Sequence, residues 1–244
     1  MQVMFLMGSS HIEKNNEDYP FFLTEINDKL ILEKQIDNIR PLNPDTWIFC
    51  LKEADIKQFR VDSAIRQLVP NAVIVSVANQ TRGAICTALL AVGKINNDSE
   101  LLLIGVDDFI SESVLDITNS FRAKSADAGT ISFTSVHPRY SFAKTDQMDN
   151  VVQVEEKLPI SKNALVSLYY FKKGSDFVQC AMDVIRKDNP VNNAFYISQT
   201  LNEMILLQKK VVMHRIVNDN FHPLKNEKQL IQYIEELNTK RYCK

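Results

Sequence analysis

The pattern of hydrophobic and polar positions changes character near the middle of the chain. In residues 1–125, short apolar runs alternate with segments whose apolar side chains recur every three or four positions, as on one helix face. This alternation predicts an α/β fold, with a mostly parallel central sheet flanked by helices. The predicted strands are 2–7, 46–51, 72–77 and 101–106, and the predicted helices are 29–40, 53–68, 83–95 and 111–123, the last beginning at Ser111.

The second half of the chain has a mixed order of elements. Three strand-like runs follow one another with no long helix between them, and helices and one further strand complete the chain. We therefore predict a single domain over residues 1–244, in which residues 126–244 form a small mixed α+β region. In chain order the predicted elements are strands 130–136, 151–155 and 164–171, helices 175–186 and 199–209, strand 211–217 and helix 226–237.

Composition and charge exclude several classes of protein. The 28 Lys and Arg residues nearly balance the 30 Asp and Glu residues, which argues against a nucleic-acid-binding protein. No apolar run approaches the roughly 18 residues that a membrane span requires. The cysteines show no C-x-x-C spacing, which favours a reduced, cytoplasmic protein over a disulfide or zinc scaffold. They are Cys50, Cys86, Cys180 and Cys243.

Ligands of parallel sheets bind beyond the carboxyl ends of the strands. The first predicted strand is followed by Gly8, Ser9, Ser10 and His11. Backbone N–H groups and hydroxyls of such a turn can bind a phosphate, although the same residues also suit a simple loop. The whole chain has six glycines and no glycine-rich phosphate-binding motif.

A second strand end carries the pair Asp107 and Asp108. Two carboxylates after an apolar strand are unfavourable unless they are solvated or neutralised. Mg²⁺ prefers such oxygen ligands, so a metal site is one interpretation. The other is that the pair caps the following turn and helix.

Two further segments carry candidate chemistry. After the third predicted strand, the Gln80 amide and Gly83 could read a base edge, or the segment is an ordinary helix start capped by Thr81. Glu156 and Lys157 precede a predicted strand. A lysine there could bind an anionic substrate as a compact charge, or the pair is a solvated surface run.

Five segments, in order and at matching spacing, resemble the sugar-phosphate nucleotidyltransferases, particularly the short forms of bacterial capsule and surface-polysaccharide clusters. The resemblance implies a Rossmann-like fold related to glycosyltransferase type A. It implies an enzyme that joins a nucleoside triphosphate, CTP or UTP, to a phosphorylated sugar or other small phosphorylated compound and releases pyrophosphate. The segments are NQTRGAICTALLA, ELLLIGVDDFI, SVHPRYSFAKTD, VVQVEEKLPISKNALVSLYYFKKGSDF and NNAFYISQTLNEMI.

The resemblance implies that residues 1–125 bind the nucleotide. Gln80 and Gly83 fall where the family reads the base, and residues 8–11 with Asp107 complete the nucleotide-binding set. Asp108 falls where a catalytic aspartate of the family holds Mg²⁺, so Mg²⁺ is the expected cofactor.

Residues 126–244 would bind the acceptor. Glu156 and Lys157 match the pair that contacts the sugar and its phosphate, and Lys157 is the second expected catalytic residue. Tyr170 and Asn192 complete the expected substrate-binding set. A homo-oligomer is left open.

Several charged positions of the family are replaced in this chain. The family's arginine loop here has His11 as its sole basic residue, a family lysine is Phe21, and a second metal-holding aspartate is Pro223. A family glycine is Ser167. A preorganised charge of this kind is worth about 3 kcal/mol in catalysis. Other basic residues would have to replace these groups, and the candidates are Arg82, Lys29 and Lys144.

Two alternatives to an active nucleotidyltransferase stay open. The lost basic residues also suit a non-catalytic nucleotide- or sugar-binding protein, or a partner subunit of an assembly. The pair Asp107 and Asp108 also suits a glycosyltransferase that uses a nucleotide sugar.

Overall fold

A mixed sheet of nine strands lies at the centre of the structure, a computed structural model that describes residues 1–8, 11–14 and 17–242. Three two-stranded sheets lie beside it. Within the described residues the strands are β1 (Gln2–Leu6), β2 (His11–Lys14), β3 (Glu17–Pro20), β4 (Glu25–Ile26), β5 (Lys29–Leu30), β6 (Thr46–Lys52), β7 (Val73–Val77), β8 (Leu101–Gly105), β9 (Asp108–Ile110), β10 (Ala128–Thr134), β11 (Ser141–Thr145), β12 (Val151–Glu156), β13 (Asn163–Phe171), β14 (Val211–Arg215) and β15 (Phe221–Pro223).

The helices follow the predicted order, with two interruptions. Residues 53–68 form two helices rather than one, because Arg60 adopts the left-handed conformation, with a φ of 54°. Residues 83–95 also form two short helices. Within the described residues the α-helices are α1 (Ile31–Ile39), α2 (Glu53–Phe59), α3 (Val61–Leu68), α4 (Ala84–Leu89), α5 (Val92–Ile95), α6 (Val114–Ala123), α7 (Gly174–Arg186), α8 (Ile197–Leu206) and α9 (Glu227–Tyr242).

The first half contributes the predicted parallel strands. β1 pairs in parallel with β6 and β8, and β6 pairs in parallel with β7. β13 then pairs antiparallel with β8 and connects the strands of the second half to the same sheet. The full order is β12-β11-β13-β8-β1-β6-β7, with β10 between β13 and β14. The α/β fold is confirmed, and one sheet runs through both halves.

Apolar side chains of the sheet pack into two cores, one on each face. On β1, Val3 and Phe5 face the core beneath α1 and α6, whereas Met4 faces the core beneath α7 and α8. All three side chains are fully buried. Each such burial contributes about 1.5–3 kcal/mol, which explains why a continuously apolar strand requires helices on both faces.

No helix in the described part of the chain is both long and apolar enough to cross a membrane.

The carboxyl ends of β1 and β8 lie side by side, since Leu6 pairs with Gly105. β9 follows directly and pairs antiparallel with β15, which places Pro223 opposite Asp108. The Leu224 amide also donates to the Asp107 carbonyl oxygen at 2.8 Å. These contacts bring the segment after β15 to the edge of the sheet at which parallel folds bind ligands.

Candidate functional site

A cavity of about 220 Å³ opens at the carboxyl ends of β1 and β8. Its floor depends on Gly105, because a Cβ there would lie 2.7 Å from the Cβ of Ser167 on β13. Both halves of the chain therefore line the cavity. Its charged and hydroxyl-bearing lining residues are Asp107, Arg139, Tyr140, Ser141, Glu156, Lys157, Ser167, Tyr169, Tyr196, Ser198 and Lys225.

Lys225 lies between the two aspartates that follow β8. Its Nζ is 3.3 Å from Oδ2 of Asp107 and 3.3 Å from Oδ1 of Asp108. The remaining oxygen of Asp108, Oδ2, accepts a hydrogen bond from the Ser167 amide at 2.9 Å. Asp108 therefore has an ion pair at Oδ1 and a hydrogen bond at Oδ2, and its side chain is 1% exposed.

The charges of this cluster stabilise one another. Burial disfavours the charged form of Lys225, but Asp108 and Asp107 outweigh burial and raise the pKa of the ammonium. Burial also raises the pKa of the Asp107 carboxyl, and Lys225 offsets part of this rise. Lys225 therefore stays protonated across the physiological range.

The residues around Asp108 do not fit a Mg²⁺ ion. The Lys225 ammonium forms an ion pair with one of its oxygens, the Ser167 amide donates a hydrogen bond to the other, and Pro223 opposite it supplies no side-chain oxygen. Among the residues that the structure describes, no group of three or more His, Cys, Asp or Glu side chains could hold a metal. The capping interpretation does not hold either, because Asp108 lies in β9 and Ser113 caps α6.

Glu156 accepts hydrogen bonds from two serines in the cavity wall. Its Oε2 accepts from the hydroxyls of Ser141 and Ser198, the latter at 2.7 Å. Burial raises the pKa of this carboxyl, and the two hydroxyls offset only part of the rise. A carboxyl held in this way can accept a hydrogen bond from a hydroxyl group of a bound ligand.

Lys157 lies beside Glu156 and points its ammonium at an aromatic ring. Nζ donates to the hydroxyl of Tyr196 at 2.7 Å and lies 4.9 Å from the centre of that ring. The backbone is left-handed at Lys157, with a φ of 58°, and its amide donates to the Tyr140 carbonyl oxygen. Lys157 thus combines a fixed backbone with a cationic side chain at the cavity.

Gly83 fixes the loop before α4 against the second half of the chain. Its φ is +108°, and a Cβ would lie 2.4 Å from the Phe195 carbonyl oxygen. The Phe195 amide donates to the Arg82 carbonyl oxygen, and its own carbonyl accepts from the Ile85 amide. Gly83, and not Thr81, stands before the first residue of α4. Ala84, the first residue of α4, lines the cavity.

The structure does not bring every predicted residue to the cavity. Tyr170 lies near the amino end of β8, where it pairs with Leu102 and its hydroxyl donates to Glu100 at 2.7 Å. Asn192 and Gln80 are exposed outside the cavity lining, as is Gly8. Ser9 and Ser10 lie outside the described residues, and the side chain of His11 also falls outside them.

The basic residues proposed as replacements lie elsewhere. Lys29 pairs with Asp37, Arg82 lies 4.9 Å from the ring centre of Phe195, and Lys144 is exposed on β11. Phe21, at the family's lysine position, is a buried core residue.

Three further residues line the cavity that were not predicted as site residues: Lys225, Arg139 and Tyr169. Lys225 follows Pro223 by two residues. The signal in the sequence was therefore a lysine close to the position at which the family has a metal-holding aspartate. Arg139 stacks over Tyr140, 4.7 Å from its ring centre. Tyr169 lines the cavity and its neighbour Tyr170 does not, because successive residues of a strand face opposite sides of the sheet.

Comparison with solved structures identifies the architecture. A nucleoside-diphosphate-sugar pyrophosphorylase from Vibrio cholerae RC9 superposes with a TM-score of 0.79 at 18% identity, over 96% of this chain and 100% of that chain. A UDP-glucose pyrophosphorylase complexed with UDP-glucose gives a TM-score of 0.76 at 14% identity, over 98% of each chain. No protein-family model and no curated protein sequence matches the chain. The chain therefore has the fold of the sugar-phosphate nucleotidyltransferases, as its motifs predicted.

Proposed function

We propose that this chain transfers a nucleotidyl group from a nucleoside triphosphate to the phosphate of a phosphorylated sugar and releases pyrophosphate. The observation that carries the proposal is the cavity at the carboxyl ends of β1 and β8, lined by the three basic residues Arg139, Lys157 and Lys225. Positive charge at this edge of a parallel sheet suits a phosphorylated ligand. The shared fold with two pyrophosphorylases supports the same reaction.

The charged side chains of the cavity have different roles in this reaction. Lys157 and Arg139 bind the acceptor phosphate, and Glu156 accepts hydrogen bonds from the sugar hydroxyls. One oxygen of the acceptor phosphate attacks the α-phosphorus of the triphosphate, and the bond from that phosphorus to the pyrophosphate breaks. Such catalysis depends on positioning and charge stabilisation rather than on a covalent intermediate.

We extend the proposal to the identity of the triphosphate and the use of the product. The triphosphate is CTP or UTP, and the product serves capsule or surface-polysaccharide biosynthesis in the cytoplasm, as the resemblance implies. A reducing compartment suits the free thiols of Cys50, Cys86 and Cys180.

The test is pyrophosphate release from each of the five common triphosphates, with a panel of sugar 1-phosphates. We expect release with CTP or UTP, and loss of at least about 100-fold in Lys157→Met. Lys162→Met is the matched control, because Lys162 is exposed on the same segment and lies outside the cavity. Equal rates in the two variants would contradict the role of Lys157.

A non-catalytic binding protein is the second candidate. The observations that favour it are Lys225 between the two aspartates and Phe21 in the core. Such a protein would be stabilised by UTP or UDP-glucose in a thermal-unfolding assay, yet release no pyrophosphate.

A further inference from the structure

The cluster of Lys225, Asp107 and Asp108 differs from a metal site in both charge and ligands. Two carboxylates and one ammonium leave a formal charge of −1. A magnesium site in a protein instead uses carboxylate oxygens together with waters or substrate phosphates around the ion. Here the positive charge belongs to the chain itself, and it is present before any ligand binds.

Lys225 and a divalent cation would compete for the same oxygens. The Nζ atom lies 3.3 Å from one oxygen of each aspartate. A metal bound to these oxygens would lie within a few ångströms of the ammonium, and like charges at that separation repel strongly when little water lies between them. The Asp108 side chain is 1% exposed, so bulk solvent does not reach it.

Lys225 also faces the cavity, which its partner Asp107 lines as well. Its side chain is 31% exposed, and it shares the cavity lining with Arg139 and Lys157. An ammonium has three N–H bonds, and the two aspartates engage at most two of them. At least one donor is therefore left for an oxygen atom of a ligand.

We propose that Lys225 takes the place of a divalent cation, so that the cavity binds the phosphate groups of a nucleotide or nucleotide sugar without Mg²⁺. The class of ligand rests on the proposed function. The exclusion of the metal rests only on the cluster of Lys225, Asp107 and Asp108. The class of ligand and the exclusion of the metal can therefore be tested separately.

The first test measures ligand binding by the whole chain, with UDP-glucose as the probe. Calorimetric titrations are compared in buffer with excess EDTA and in buffer with excess MgCl₂. We expect dissociation constants that agree within about twofold. Binding that is more than about tenfold tighter with MgCl₂ would overturn the proposal.

The second test needs no ligand other than Mn²⁺, whose free form is followed by electron paramagnetic resonance. The wild-type chain should leave Mn²⁺ free, whereas Lys225→Met should bind it, because Asp107 and Asp108 lose their counter-ion. Lys228→Met is the matched control, since Lys228 is exposed three residues away. It should behave like the wild type.

Three outcomes separate the two proposals. Mn²⁺ binding by the wild type that is lost in Asp108→Asn would overturn the role of Lys225. Circular dichroism would reveal whether Lys225→Met folds. If it does not, the UDP-glucose titrations and the Mn²⁺ measurement on the wild type still test whether the cavity binds its ligand without a metal. If UDP-glucose, UTP and CTP all fail to bind in either buffer, the proposed function fails, while the Mn²⁺ measurement still tests the exclusion of the metal.

Discussion

At the scale of single residues, the candidate site depends on close approaches that hydrophobic periodicity does not reveal. Gly83, which the resemblance places near a base, lets the Phe195 backbone approach the loop. Lys225 could not be assigned from the sequence, because its partners Asp107 and Asp108 lie more than a hundred positions earlier. The pairing of β9 with β15 and the hydrogen bond from the Leu224 amide to the Asp107 carbonyl oxygen bring them together.

Replacing Gly83 should destabilise the protein. In Gly83→Ala the new methyl group would lie 2.4 Å from the Phe195 carbonyl oxygen, at a backbone φ of +108°. We expect the free energy of unfolding, measured with urea, to fall by more than about 2 kcal/mol. Gly93→Ala is the control, because a Cβ there meets nothing within 4 Å. An equal effect at both glycines would contradict this role.

Burial of Glu156 should make stability depend on pH. Because burial raises its pKa above the ordinary value of 4.5, the folded state binds this proton more tightly than the unfolded state. The resulting stabilisation is present at low pH and is lost as the pH rises through the folded-state pKa. Gln has no such proton, and its side-chain oxygen can still accept from both serines.

The free energy of unfolding of Glu156→Gln, relative to the wild type, should therefore increase between pH ~4 and ~7. Urea titrations at several pH values measure this difference. Glu25→Gln, at an exposed position on β4, should show no such trend. A difference that falls with rising pH would have the wrong sign.

At the scale of elements, strands were easier to predict than helix ends. Continuously apolar strands such as β1 and β8 can be recognised in the sequence, because both of their faces are buried. β11 was missed, since Ser141, Lys144 and Thr145 interrupt its apolar character, and the short strands of the three two-stranded sheets were missed as well. Helix ends depend on single hydrogen bonds, and α6 begins after Ser113 instead of at Ser111, whose hydroxyl contacts His222.

The start of α6 provides a direct test. The Ser113 hydroxyl accepts a hydrogen bond from the Asp116 amide at 3.2 Å, so Ser113→Ala should cost about 1 kcal/mol of unfolding free energy. Ser113→Asp retains an acceptor and should lose much less. Thermal or urea unfolding measures both, and equal losses would argue against the cap.

At the scale of the whole molecule, the candidate site forms where the two halves of the chain meet. Residues of β8 and the following turn supply Gly105 and Asp107, whereas the second half supplies Glu156, Lys157 and Lys225. The sequence could place Asp107, Glu156 and Lys157 at one candidate site, because strand ends and motif order are visible in it, and all three line the cavity. The sequence could not place Lys225 at the cavity or exclude Tyr170 from it. The positions of both residues depend on which strands of the two halves pair with each other.

The most direct measurement is a crystal structure of the chain grown with UDP-glucose in the presence of EDTA. We propose that the cavity at the ends of β1 and β8, lined by Arg139, Lys157 and Lys225, binds phosphate groups. We predict diphosphate density within that cavity, in contact with Lys157 and Lys225. An empty cavity at saturating ligand, or a diphosphate bound elsewhere on the protein, would contradict the claim.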